Sequence, residues 1–232
     1  MRSVTANGVT VEYQLTYKSV KNLNLLVQRD GTVQVSAPKR ASVARVDEFV
    51  LRNMEFILKA QKRLAARPKA EEGVIYYMGQ RYNITEQPAA RDAVRFDGEN
   101  LLIQTTRPGD AAHQARILDA FDAKLAKQLF PDAVAIVLPL LKEYGVKMPS
   151  VTARSMTSRW GSCTMAKGSI RLNTQLVHFP PKCLKQVALH ELCHFVHPDH
   201  SDAFYALMTR LMPDWKESKQ ILAQGSPYLR LP

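Results

Sequence analysis

The sequence predicts an α+β fold, with a β-rich lobe and one helix over residues 1–109 and a second domain over residues 110–232. Three observations carry this. In the first half, apolar residues alternate with polar ones in short runs, two of them divided by Asp-Gly pairs. In the second half, apolar residues recur at three- and four-residue spacing. Finally, HELCHFVHPDH at residues 190–200 gathers four of the chain's six histidines into one stretch, whose side chains can meet only if a helix and a following turn bring them together.

Val9, Val11, Tyr13 and Leu15 alternate in VTVEYQL, which predicts a strand. LNLLVQRDGTVQVSAP places Asp30-Gly31 between two alternating runs, a hairpin signal, and Pro38, with no N–H to donate, ends the pairing. Ser42 suits an N-cap. Val43, Val46, Phe49, Val50, Ile57 and Leu58 then recur at helical spacing, giving one helix to about Ala66. IYYMGQRYNITE and AVRFDGENLLIQT read as two or three further strands, with a second Asp-Gly turn at Asp97-Gly98. Residues 110–144 form a long helical pattern that Pro131 and Pro139 are expected to interrupt or kink. No internal repeat is legible, and Pro108-Gly109 marks the expected domain boundary. In the second domain a helix over 182–197 is expected to pack behind a small sheet containing 151–157 and 169–174.

At 232 residues and 46% hydrophobic, the chain can bury a core and fits one large or two small domains. It has no apolar run of 18 residues, so no membrane span is expected. The stretch MRSVTANGVTVEYQ lacks the apolar core of a secretory signal. Cys163, Cys183 and Cys193 are too few for a disulfide framework, which predicts free thiols and a cytoplasmic protein. The net charge of +11 is concentrated early: residues 1–70 hold 13 Lys/Arg against 5 Asp/Glu. The run LKAQKRLAARPKA reads first as a solvated helix face. The same charge could also dock a nucleotide or nucleic acid, although no aromatic residue interleaves it for base stacking.

The chemistry lies near the C-terminus. Pro180-Pro181 can start a helix, and no Gly or Pro follows until Pro198. His190 and His194 then share one helix face, four residues apart, a spacing that lets two imidazoles meet one ion. Glu191 is rotated off that axis and can reach a metal-activated water without ligating the metal, the H-E-x-x-H arrangement. A catalytic zinc needs a third protein ligand and an open fourth position. Four residues compete for that role. His197 shares the face but lies about 10.5 Å along the helix from His190, and Pro198 pushes it out of helical geometry. His200 follows the Pro198-Asp199 turn and can approach from a new direction; Glu217 would give a two-His-one-Glu site; Cys193 would be unusual in a hydrolase. His200 is favoured over Glu217. Ser201-Asp202 can cap a new helix, with Phe204, Leu207, Met208 and Leu211 anchoring it to the core.

The stretch from SMTSRWGSC through IRLN to HELCHFVHPDHSDAF resembles the YgjP-like metallopeptidase family, related to the SprT-like and WLM zincins. His190, Glu191, His194 and His200 match that pattern position by position, HSDAF matches its tail, and RWGSC followed by IRLN resembles the hairpin ahead of its active helix. There is no Gly between the second and third histidines, unlike the metzincin pattern. The resemblance implies a zincin-like metallohydrolase domain, a Zn2+ cofactor and a peptide or protein substrate.

In such a site the zinc would acidify water and polarise the carbonyl under attack. Glu191 would act as general base and relay the proton to the leaving amine. Arg159 and His178 are candidates for stabilising the oxyanion, with Arg159 as the substrate-binding residue, while Trp160 is expected mainly to pack. GSIRLNTQ could offer an edge strand to an extended peptide. Two other function classes are weaker. A metal-dependent nucleotide or phosphoester hydrolase lacks a Gly-rich phosphate loop here, and a nucleic-acid-binding protein with structural zinc lacks C-x-x-C ligand spacing.

Overall fold

The structure is a computed structural model that describes residues 1–28, 31–65, 71–225 and 227–230, with only the backbone of Arg63. It divides into two compact units, Met1–Arg67 and Pro68–Pro232.

The first unit is a four-stranded sheet with two helices. β1 (Arg2–Ala6) and β2 (Val9–Lys18) form an antiparallel hairpin closed by Asn7-Gly8. Both turn residues have positive φ, 51° and 76°, as a two-residue hairpin turn with right-handed twist requires. β1 lies ahead of the alternating run at Val9 and is additional to the strand expected there. β3 (Asn24–Val27) and β4 (Val33–Pro38) pair antiparallel, and β4 lies parallel to β2, giving the order β1-β2-β4-β3. Gly31 has φ 86°, while its expected turn partner Asp30 lies outside the described residues.

The single helix expected from Ser42 is two. α1 (Val43–Arg52) is capped by the Ser42 hydroxyl, which accepts from the Arg45 N–H at 3.3 Å. Asn53 leaves helical geometry at φ −100°, ψ 10° and donates its side-chain amide to the Phe49 carbonyl at 2.8 Å. That competition for a helix carbonyl ends α1. α2 (Met54–Ala65) follows; the expected end at Ala66, like the last five residues of the basic run, lies outside the described residues. Val11, Tyr13, Val33 and Val35 pack with Val46, Val50 and Ile57 in this unit's core. The buried Tyr13 ring keeps its hydroxyl bonded to Asp47 and Arg2 at the unit's edge, and donation from that hydroxyl helps hold the Asp47 carboxyl below its ordinary value.

The second unit opens on a sheet of identical topology. β5 (Val74–Tyr77) and β6 (Gln80–Pro88) form an antiparallel hairpin; β7 (Ala93–Asp97) and β8 (Asn100–Thr105) form another; β8 lies parallel to β6. The order β5-β6-β8-β7 repeats β1-β2-β4-β3, and Met78-Gly79, again both at positive φ, stands where Asn7-Gly8 stands. A repeat of pairing pattern is therefore present where no repeat was legible in the residues.

α3 (Ala111–Val137) starts at Asp110, whose carboxylate accepts from the His113 N–H at 2.9 Å. It runs through Pro131 without a break, so only Pro139 acts as a stop: there the chain tightens into a 3-10 segment, Leu138–Tyr144, closed by Gly145 in the left-handed region. The expected boundary at Pro108-Gly109 lies inside this unit. Ile75, Tyr77, Leu101 and Ile103 of the sheet share one core with Phe130 and Val134 of α3 and with Leu184 and Leu189 further along the chain, so the first division falls at Arg67/Pro68 instead.

A three-stranded sheet in the order β10-β11-β9 follows: β9 (Ser150–Arg154), β10 (Gly161–Thr164) and β11 (Ser169–Asn173). α4 (Pro181–Cys193) packs on β10 and β11, and α5 (Asp202–Leu211) and α6 (Trp215–Gln224) complete the unit. Among the described residues no helix is long and apolar enough to cross a membrane.

Inside this unit a buried polar network joins three elements. Asp122 of α3 accepts from the Tyr77 hydroxyl at 2.6 Å and faces His178 Nε2 at 3.0 Å, while His178 Nδ1 lies 2.7 Å from the Tyr76 carbonyl. Both ring nitrogens of His178 are thus engaged, and the side chain is fully buried. His178 is a structural tie and not the oxyanion donor considered from the sequence.

Candidate metal centre

α4 opens on Pro181 at its first turn, and Cys183, Leu184, Ala188, Leu189 and Leu192 bury its inner face. The chain before it is held by backbone bonds from Met78 and Gly79 to the Val177 and His178 carbonyls, at 2.7 and 3.2 Å. Gly79 is needed there, because a Cβ would come within 3.0 Å of Pro180. The helix is shorter than the expected 182–197. It ends at Cys193, His194 is its C-cap, and a turn over 194–196 leads to His197 and Pro198.

His190, His194 and His200 come together. One ring nitrogen from each lies within 4.8 Å of the other two, a group that could hold a metal ion. His190 Nε2 and His200 Nε2 are 3.0 Å apart, close to the roughly 3.3 Å that separates two nitrogens in a tetrahedral zinc site. The buried Phe204 ring of α5 lies under all three imidazoles, with centroids 4.9, 4.8 and 5.0 Å away. The sequence marked Phe204 only as a core anchor.

His194 Nδ1 lies 3.2 Å from the His197 carbonyl, which can only accept. The proton therefore sits on Nδ1, and Nε2 keeps its lone pair for a metal. His197 serves through its backbone and its ring stays outside the cluster. Burial first, then the neighbouring imidazoles and the Lys219 cation, push His190 down to about 4, so its ring is neutral near pH 7. Burial also lowers His194. Three convergent imidazole nitrogens are a donor set that fits zinc.

The other ligand candidates lie elsewhere. Glu217 pairs with Lys182 at 3.3 Å on the exposed side of α6. Cys193 is buried and pushed up to about 12 by that burial. All three cysteines are free. His200→Ala is therefore expected to lower metal affinity by well over the 10–100-fold typical of losing an outer partner. His197→Ala and Glu217→Gln should stay near wild type, and competition with a chromogenic chelator would check all three. Normal binding by His200→Ala with failure of Glu217→Gln would replace the three-histidine site by a two-His-one-Glu site.

Glu191 is only 5% exposed, and burial pushes its carboxyl up to about 7 against the opposing charge of Arg159. It faces β10 at very close range: a Cβ on Gly161 would lie 2.4 Å from Oε1 and 2.8 Å from Cγ. Gly161 is the residue that sequence reasoning passed over. Asn173, at the end of β11, is a second. Its side-chain amide donates to the Met156 and Arg159 carbonyls at 2.8 and 2.9 Å, and its N–H to the Trp160 carbonyl, pinning the segment that leads into β10.

A cavity of about 660 Å³ runs past these groups, lined by Arg159, Trp160, Gly161, Cys163, Tyr205, Trp215 and Lys219 beside the histidines and Glu191. Trp160 both lines it and packs edge-on to Phe179 at 5.0 Å. GSIRLNTQ is not an edge, since β11 is paired on both sides; of the two edge strands, β10 is the one that lines the cavity.

No curated protein matches the chain. Among solved structures, the metallopeptidase zymogen of Pyrococcus abyssi abylysin is 16% identical with a TM-score of 0.38, covering 44% of this chain and 99% of its own. The metallopeptidase zymogen of Methanocaldococcus jannaschii jannalysin is 21% identical with a TM-score of 0.34, covering 40% and 94%. The family model described as YgjP-like, metallopeptidase domain, matches residues 21–225, so nearly the whole chain is accounted for by one family, and the protein belongs to it.

Proposed function

We propose that the protein is a zinc-dependent peptidase in which His190, His194 and His200 hold the ion, Glu191 is the general base and Arg159 binds substrate. One observation carries the reading: three imidazole nitrogens converge beside a buried carboxylate at the wall of an open cavity. When bound, the ion supplies Lewis acidity, lowering the pKa of water towards 7 and polarising a carbonyl.

The chain's own groups do the rest. The resting value of Glu191 near 7 suits a group that takes a proton from water and returns it to the leaving nitrogen. Gly161 keeps β10 close enough to confine that carboxylate. As an edge strand on the cavity wall, β10 can hydrogen-bond an extended peptide. Arg159 carries no ion pair among the described residues and lines the same wall, where it can face a peptide carbonyl or carboxylate.

The test compares metal-loaded wild type with Glu191→Gln on peptides, denatured proteins and nucleoside triphosphates. Peptide cleavage by wild type, lowered about 10²–10⁴-fold in Glu191→Gln at unchanged metal content, is the outcome expected. Turnover of nucleoside triphosphates alone would replace the peptidase reading with the phosphoester one.

A further inference from the structure

The imidazole cluster and Glu191 account for one side of the cavity; the α5–α6 wall has a chemistry of its own. His200 stacks on Tyr205, with centroids 6.1 Å apart and planes at 26°, and Tyr205 stacks on Trp215 at 5.7 Å and 15°. Three near-parallel rings thus lead from the metal-ligand cluster along the wall. Trp215 is 5% exposed and its Nε1–H donates to the Thr209 hydroxyl at 3.1 Å, so the platform is rigid.

Lys219 follows Trp215 by one helical turn and so shares its face. Its Nζ lies 5.2 Å from the Trp215 ring centre and 5.8 Å from that of Tyr205, within reach of both π faces. Lys219, Tyr205 and Trp215 all line the cavity.

Among the described residues Lys219 forms no ion pair with a carboxylate, and the acid beside it in α6, Glu217, is taken by Lys182. Among the described residues lining the cavity, the one carboxylate is the buried Glu191, against two cations, Arg159 and Lys219. The cavity therefore presents a positive field over an aromatic surface, with a lysine held in place and, among the described residues, no carboxylate paired with it. A ligand that supplies the missing anion gains a charge-assisted hydrogen bond and steering into the groove.

We propose that Lys219, seated on the Tyr205–Trp215 platform, is a specificity-determining residue that takes a carboxylate of the peptide substrate. The proposal rests on the peptidase reading above. The His200 and Tyr205 ring centres are 6.1 Å apart and Lys219 Nζ is 5.8 Å from that of Tyr205, so the ammonium lies at most about 12 Å from the His200 ring. An extended peptide advances about 3.3 Å per residue, which puts the carboxylate within about three or four residues of the bond cut. It can come from an acidic side chain or from the chain end, which share this chemistry.

Two measurements test it. The first is binding of acetylated hexapeptides to zinc-loaded Glu191→Gln by calorimetry, comparing Glu with Gln at each position and free acid with amide at the C-terminus. Carboxylate peptides should bind about tenfold more tightly, the scale of one charge-assisted bond. That ratio should collapse towards one in Lys219→Ala, survive in Lys219→Arg and reverse in favour of Lys peptides in Lys219→Glu. Lys216→Ala is the control, since Lys216 lies 6.0 Å from the same Trp215 ring but does not line the cavity. A Glu/Gln ratio that tracks Lys219 assigns a side-chain carboxylate; an acid/amide ratio that tracks it assigns the chain end.

The second measurement is the same pair of ratios in kcat/KM for wild type. Carboxylate-selective binding without cleavage of any peptide would sink the peptidase reading and leave the Lys219 site standing. A ratio near one in wild type, a ratio indifferent to Lys219→Ala, or binding of nucleoside triphosphate in place of carboxylate peptides would overturn the Lys219 assignment.

Discussion

On the peptidase mechanism proposed above, Gly161→Ala is expected to lower turnover about 10²–10⁴-fold, as much as removing the proposed general base Glu191, while leaving the metal content unchanged. The added methyl group would stand 2.4 Å from Glu191 Oε1 and 2.8 Å from both Cδ and Cγ. Turning the carboxyl group alone cannot relieve a clash that includes Cγ, so the whole side chain must leave its place or β10 must retreat. Neither is easy. Glu191 is buried on a helix backed by core, and Gly161 is registered opposite Leu172 in the β10–β11 ladder. The backbone of Gly161 is not in the left-handed region, so alanine adds no torsional strain and the damage stays local. Kinetics, metal analysis and a melting curve on one preparation separate the possibilities. Full turnover in Gly161→Ala would show that the Glu191 position seen here is not the working one. Loss of zinc would show that the helix had moved.

Asp122→Ala is expected to destabilise the second unit by about 3–5 kcal/mol, because it leaves buried polar partners without their acceptor. The Tyr77 hydroxyl and His178 Nε2 both turn to this carboxylate, and Arg230 Nε approaches it at 3.4 Å. Burial first, and then the Asp122 charge, hold the Tyr77 phenol well above its ordinary value, so it remains a donor throughout the usable pH range. In a unit of this size the loss should appear as a fall of roughly 10 °C in its melting transition. Asp122→Asn keeps an acceptor for Tyr77 and should lose less. Because the network ties β5 and α3 to the 3-10 turn, Thr174–His178, that precedes α4, zinc affinity should fall with it. An unchanged melting curve for Asp122→Ala would mean that these bonds add nothing over hydration in the unfolded chain.

What the residue pattern determined by itself is the part built from short-range geometry. The Ser42 cap, the turn at Gly98 (one residue later than the expected Asp97-Gly98 pair, since Asp97 still pairs with Asn100), the strand at Val9–Lys18 and the α4 helix carrying His190, Glu191 and His194 each depend on neighbours within a turn or a pleat, and each is legible as spacing. His200 was legible for a related reason: Pro198 breaks the helix close enough to the pair that the next histidine can return.

The rest was decided by approaches between segments far apart in the chain, which leave no periodic mark. Gly161 is required by a side chain thirty positions later, and a glycine demanded by space looks like any other glycine. Phe204 under the three imidazoles, Asn173 pinning the Arg159 carbonyl and His178 buried against Asp122 are likewise contacts that no spacing encodes. The two sheets of equal topology share pairing order and turn geometry without legible sequence similarity, since alternation tolerates many side chains. The division at Arg67/Pro68 was hidden for the same reason. Pro108-Gly109 is a local breaker, but which core a strand joins is settled by the hydrophobic surface it finds on folding, and Ile75, Tyr77, Leu101 and Ile103 find theirs on the helices that follow.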